Sequence, residues 1–277
     1  MSLNIFGFNK MKVLFDEPTH TYTNNNTDEE YISVTTLIHK YIPEFDSDYW
    51  SLYKAIKDVL SNNNCFDAYK RSVGGWECVV SAWNSNPLLK FKDDVDCRQQ
   101  NYLLQWEAIS ETACEIGTAE HKRREIEAAE NNYYTHENEQ YETPKIHNQQ
   151  DILHIQDFHS NRIYTELLVY NDRYKVAGQV DWVRKKKKRV WIKDYKTSKE
   201  ITKEAFRKEK LLAPLNDLYN ANWYIYAMQL STYGWMLEEC GYTVAGLDLI
   251  HTRTETTYNI PYLKDHVQAM MQDYAEF

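Results

Sequence analysis

The chain has 277 residues and a formal net charge of −9, which excludes a basic protein that coats nucleic acid non-specifically but leaves room for an enzyme with a local basic groove. Hydrophobic residues make up 43 % of it, enough for a substantial core in one large domain or one domain with a helical elaboration. With only 8 glycines and neither GxxxxGK[ST] nor GxGxxG, it carries no glycine-rich nucleotide cradle.

The five cysteines, Cys65, Cys78, Cys97, Cys114 and Cys240, form no CxxC pair. Their odd number fits reduced thiols. No apolar run approaches the roughly 18–20 residues of a membrane span, and the first residues lack a signal-peptide core. The expectation is a cytoplasmic protein with no membrane partner.

Taken in chain order, residues 11–32 read as a hairpin with a polar tip, "NNNTDEE". Ser33 or Thr35 then caps a helix through "TTLIHKYI". Residues 46–110 read as several helices interrupted by "VGG" and "NSNP". A long helix is expected over 103–130, with Ile109, Ala113, Ile116, Gly117, Arg124 and Ala128 near one stripe and His121 on it. Residues 131–150 are polar and aperiodic and read as a loop, with a short helix near 151–159.

"RIYTELLVYN" reads as a strand, followed by two more in "GQVDWVRKKKKRVWIKDYKT". Their connection, Arg184–Arg189, reads as a solvated basic turn, with a phosphate-touching role as the alternative. After a mixed stretch over 201–215, "ANWYIYAMQLSTYGWMLEECG" is a helix closed by Gly241 at C′. "TVAGLDLIHT" and "TYNIPYL" read as late strands and 264–277 as a helix.

Strand alternation puts Val190, Ile192, Asp194 and Lys196 on one face. Asp181 stands near the end of the preceding strand, where pairing brings it towards Asp194. A lone DxK is most simply a salt bridge. Two converging carboxylates in a partly dry site repel each other and call for a cation, for which a hard divalent ion is suited. Lys196 is then placed to orient a water or to stabilise charge growing on a phosphate.

These residues resemble the D…(D/E)xK core of the PD-(D/E)xK nuclease superfamily, in its RecB-like branch. That branch includes phage-type exonucleases and is similar to the mitochondrial genome-maintenance exonucleases. "GTAEHKRRE" supplies the branch's glycine and histidine as Gly117 and His121, with Glu125 beside them; "YTELLVY" supplies Glu166; "QLSTY" supplies Gln229 and Tyr233; and "YISVTTLIHKY" looks like the opening of phage-type members. The matches run in family order from about residue 11 to 250. Val180 stands where PD would have proline.

The resemblance implies an α/β, restriction-endonuclease-like fold: a central mixed β-sheet flanked by helices, with an N-terminal mainly helical elaboration. It places that elaboration, with the hairpin, at 1–102 and the nuclease core at 103–277. It implies Asp181, Asp194, His121 and the main-chain carbonyl of Tyr195 as ligands of Mg²⁺ or Mn²⁺. Lys196 would act on the attacking water. Gln229 and Tyr233 would brace the site or touch nucleic acid. Glu166 would serve a second metal or structure the sheet, and Glu125 would support His121. Iron–sulfur relatives carry three downstream cysteines; only Cys240 lies downstream here, so no cluster is expected.

The activity implied is cleavage of DNA phosphodiesters from an end, in replication, recombination or repair. The alternatives are a structure-specific or restriction-type endonuclease, and an inactive nucleic-acid-binding protein on the same fold. The expected partner is DNA with a single-stranded end. Lys122, Arg123, Arg124, Lys199, Lys203, Arg207 and Lys208 are candidates to guide it, and Tyr49, Trp50 and Tyr53 to stack on bases or else to fill a core.

Overall fold

The computed structural model describes residues 13–16, 19, 21–130, 133–136, 138–143 and 161–276. The helix expected near 151–159 lies outside them. The chain divides into two compact units, Met1–Pro43 with Gly117–Phe277, and Glu44–Ile116. The boundaries thus fall elsewhere than at 102/103, because the N-terminal strands pair into the sheet of the C-terminal part. Among the described residues no helix is long and apolar enough to cross a membrane.

The first unit is built on one mixed eight-stranded sheet flanked by helices. Its first strands are β1 (Val13–Asp16), β2 (Thr21–Asn24) and β3 (Glu30–Ser33). The single hairpin expected over 11–32 is therefore a three-stranded meander among the described residues. Ser33 ends β3 and caps α1 (Val34–His39) by accepting the Thr36 N–H at 2.9 Å, which satisfies one orphan donor of the first turn.

The central strands are β6 (Ile163–Asn171), β7 (Val176–Lys186), β8 (Arg189–Lys196) and β9 (Thr243–His251), with β10 (Thr256–Asn259) at the edge. β6, β7 and β8 run antiparallel, and β8 pairs with β9 in parallel. The turn of the β7–β8 hairpin is only Lys187 and Lys188, with Lys187 at φ +55°. The solvated turn expected over Arg184–Arg189 is thus shorter, and Arg184 and Lys185 are buried in the sheet at 4 % and 5 % exposure.

β7 has two partners on one edge. Near its start it pairs with β3 through Ile32↔Val176 and Ser33↔Ala177; near its end it pairs with β8 from Trp182↔Lys193 onward. The two strands fork just before that point, and Asp181 stands in the fork.

Helix α6 (Asn222–Glu239) covers this sheet, and every residue from Ala227 to Leu237 is buried. A helix apolar on all sides belongs inside. Gly241, at φ +84°, closes it: its N–H reaches the Glu238 carbonyl, and the Tyr242 N–H reaches Leu237. This is the paired bonding of a Schellman end. α6 shares its core with α1 and with α7 (Lys264–Tyr274).

Residues 131–150 are not simply a loop. Tyr133–His136 (β4) and Glu139–Glu142 (β5) form a hairpin. Tyr141 of β5 is buried with Ile163 and Trp182, and Tyr134 packs against them. Aromatic anchoring by two tyrosines offsets a polar composition that hides the period.

The second unit holds α2 (Ser47–Asn62), α3 (Phe66–Ser72), α4 (Val79–Ser85) and the first part of α5 (Leu89–Glu130). Leu52, Ile56, Leu60, Phe66, Val80, Trp83, Phe91 and Val95 form its core, and Tyr49 and Tyr53 pack against it. Asp46 caps α2 by accepting the Tyr49 N–H at 2.8 Å. Helix α5 begins fourteen residues before the expected start at 103, just after Pro87. The expected stripe is not buried in its middle: Ile109 is 65 % and Ile116 44 % exposed.

Candidate functional site

The sheet changes phase across β6 and β7, and the site is built there. On β6, Tyr164, Leu167 and Val169 all join the core under α6, as do Val180 and Val183 on β7. Strict alternation would put 164 and 167, or 180 and 183, on opposite faces. The register nevertheless holds from Thr165↔Trp182 to Leu167↔Val180, so Glu166 lies across from Asp181. Glu166 adopts a left-handed conformation there, at φ +48°. A left-handed conformation at a residue with a Cβ costs about 1–3 kcal/mol and collects at functional sites.

Asp181 is 7 % exposed. Its Oδ2 accepts the backbone N–H of Tyr195 at 2.7 Å, so in the fork a carboxylate replaces a ladder carbonyl. Its Oδ1 lies 3.4 Å from His121 Nδ1. The other ring nitrogen, Nε2, lies 3.1 Å from the Tyr195 carbonyl oxygen. His121, Glu166 and Asp181 each present a ligand atom, all within 4.8 Å of one another.

Asp194 is 1 % exposed. Gln229 Nε2 donates to its Oδ1 at 3.2 Å and to the Tyr233 hydroxyl at 3.3 Å. Oδ2 forms an ion pair with Lys196 Nζ at 2.8 Å. Lys196 also sits 5.0 Å from the Tyr226 ring. The strand end is clamped beyond it: Thr252 N donates to the Lys196 carbonyl, Arg253 Nε to Thr197, and buried His251 meets the Ser198 carbonyl at 2.7 Å.

The charges are coupled. Burial, with Asp181 adding, pushes the Glu166 carboxyl up to about 8. Burial also raises Asp194 to about 6; Lys196 works against that shift and Asp181 adds to it. For His121, burial disfavours the imidazolium, but Asp181 and then Asp194 outweigh it and lift the pKa to about 9. Burial likewise opposes the Lys196 ammonium, and Asp194 and Asp181 overcome it, so its pKa is raised.

All the expected site residues are therefore brought together: Asp181, Asp194, His121, the Tyr195 carbonyl, Lys196, Glu166, Gln229 and Tyr233. The grouping differs in detail. Glu166 stands in the tight trio with Asp181 and His121, while Asp194 is held by Gln229 and Lys196. Glu125 pairs with Lys122 at 2.7 Å, in place of the expected support for His121. At Gly117 a Cβ would meet Thr197 Oγ1 at an ordinary 3.8 Å.

The donor set fits a hard divalent cation: carboxylates, a carbonyl and one imidazole. Binding would release the His121 proton and hold the acids ionised.

Two contributors were not read from the sequence. Gly178 admits the Tyr233 ring; a Cβ there would sit 2.7 Å from Tyr233 Cε1. His251 fixes the chain leaving β8. The signal for the first was a glycine inside a strand.

The basic residues beside His121 are largely compensated on their own helix. Arg123 bonds Glu120 and Glu127, and Arg124 bonds Glu120 and Glu255. Lys199, Lys203, Arg207 and Lys208 are exposed. No protein-family model matches the chain, and no curated protein matches it.

Proposed function

We propose that the chain is a metal-dependent deoxyribonuclease with a restriction-endonuclease-like core, of the PD-(D/E)xK type, acting on DNA ends. The observation that supports this most is the fork between β7 and β8. There Asp181 accepts the Tyr195 N–H with one oxygen and faces His121 with the other, beside the Asp194–Lys196 pair. This combines buried acids, an imidazole and a lysine, the groups that hydrolysis of a phosphodiester needs.

Asp181, Asp194, His121 and the Tyr195 carbonyl would hold Mg²⁺ or Mn²⁺, with Glu166 adjoining. When bound, the cation supplies Lewis acidity and an acidified water. Lys196, held as an ammonium, orients the water and offsets charge on the scissile phosphate. It does not act as a base in that state. Gln229 keeps Asp194 turned toward the site, and Tyr233 keeps Gln229 in place.

The test is a pair of DNA substrates of equal length, one linear and one covalently closed, incubated with Mg²⁺. Loss of the linear form with the circle intact is the expected result. Equal cutting of both replaces the end-directed reading with an endonuclease. Binding of both without cutting by a folded, Mg²⁺-loaded protein replaces the enzyme with a nucleic-acid-binding protein.

A further inference from the structure

The sheet face turned away from α6 carries charge of the opposite sign. Cross-strand pairing sets Trp182 opposite Lys193 and Arg184 opposite Trp191, so the four side chains share that face. Each cation lies on a ring, Arg184 at 4.0 Å from the Trp191 centroid and Lys193 at 4.3 Å from that of Trp182. The β4–β5 hairpin adds Tyr141, 5.3 Å from Arg184, and Tyr134, 5.7 Å from Lys193.

Arg184 is buried, and its Nε has no hydrogen-bond partner. Two acids reach these cations by their fields, Glu139 towards Arg184 and Asp248 towards Lys193. Both are engaged elsewhere: Glu139 with Lys186 and Tyr141, Asp248 with Asn259. Among the described residues neither Arg184 nor Lys193 stands in a salt bridge, although Asp248 lies beside Lys193 in the β8–β9 register, so two like charges held close in a partly dry place are left incompletely compensated. Diagonal positions of an antiparallel pair stand about 7–8 Å apart, room for an anion between two long side chains.

We propose that Arg184 and Lys193 form a binding site for a phosphate group, with Trp191 as the surface on which an attached base stacks. A guanidinium and an ammonium suit phosphate oxygens. The Trp191 ring is set in place by Gly246, where a Cβ would come within 2.9 Å of its Cδ1. Exposed Arg189, 4.9 Å from the same ring, marks the open end. In the other direction Tyr195 follows Lys193 on this face, and its ring lies 6.5 Å from that of His121. The face therefore leads to the acidic cluster. That the phosphate belongs to a nucleic-acid strand rests on the nuclease reading; the anion site itself does not.

The test is equilibrium binding in EDTA, where no cleavage occurs. Inorganic phosphate and thymidine monophosphate are titrated by tryptophan fluorescence, and a labelled oligothymidylate by anisotropy. Lys193→Gln and Arg184→Gln are expected to weaken oligonucleotide binding at least about fivefold. Each should also reduce the slope of log K against log salt by about one. Should Arg184→Gln fail to fold, Lys193→Gln, at a half-buried position, decides alone. Binding of the small phosphates that these variants weaken, with oligonucleotide binding unmoved, supports the site and assigns it to a small ligand. Wild-type binding of all three ligands by folded Lys193→Gln, with an unchanged salt slope, overturns it. Because no metal is present, loss of cleavage with this binding intact would sink the nuclease reading alone.

Discussion

Gly178 and Tyr233 fit each other across the sheet: a Cβ at 178 would lie 2.7 Å from Tyr233 Cε1 and 3.2 Å from its hydroxyl. The same hydroxyl accepts from Gln229, which holds Asp194. Gly178→Ala must displace the ring and with it that chain of bonds. It is expected to destabilise the protein by about 1–3 kcal/mol, read as a lower urea midpoint, and to cut activity more than Tyr233→Phe does. A variant as stable and active as wild type would mean the ring has room to move.

Cation binding should depend on Asp181 before any other residue, since both its oxygens are committed to the site. Asp181→Asn is expected to abolish the calorimetric signal of Mn²⁺ binding, and His121→Ala to weaken it at least roughly tenfold. Full binding by both variants would place the cation elsewhere.

Lys196 should act on the chemical step. Lys196→Ala is expected to slow single-turnover cleavage at least roughly a hundredfold, with little change in DNA affinity measured in Ca²⁺. Lost affinity with retained cleavage would contradict the role assigned from its pairing with Asp194.

The metal-free protein should lose stability as the solution becomes alkaline. Glu166 and Asp194, raised to about 8 and about 6, take up protons on folding above their ordinary 4.5 and 3.8. Their folded forms are thus increasingly disfavoured as pH rises to those raised values. His121, raised from 6.5 to about 9, contributes stability that is full below 6.5 and lost through 9. All three slopes share one sign. The melting temperature in EDTA is expected to fall as pH rises from the ordinary carboxylate range to about 9, with the Asp194 part complete by about 6 and the Glu166 part by about 8, and Glu166→Gln to flatten part of the fall. Saturating Mn²⁺ should oppose it, because it binds ionised acids and neutral imidazole. A flat profile in EDTA would show the acids are not coupled as described.

Much of the site was legible because it follows from strand geometry. Asp194 and Lys196 share a face by i, i+2 spacing, and Gln229 and Tyr233 share one by i, i+4. Asp181, expected near a strand end, stands instead in the middle of β7 (Val176–Lys186), where the pairing with β3 gives way to that with β8. What stayed hidden depends on distant partners. Nothing local marks Glu166 as left-handed, since its conformation is imposed by the phase change it shares with Asp181. The polar composition of β4 and β5 hides their period, while Tyr141 is buried and Tyr134 half-buried. Arg184 and Lys185 read as part of a polar turn; rings from other strands hold them inside.

The pairing of β3 with β7 has a consequence for synthesis. More than a hundred residues separate Ser33 from Ala177, and a ribosome adds about 5–20 residues per second, so β3 waits roughly 7–30 s for its partner. The contiguous helices of 44–116 emerge within that interval and are free to fold first. Until β7 arrives, one edge of the N-terminal meander is open to other chains. Asp28 and Glu29 lead into β3 and Glu30 opens it, a cluster of negative charge beside that edge that discourages the nascent strand from joining a neighbour's sheet.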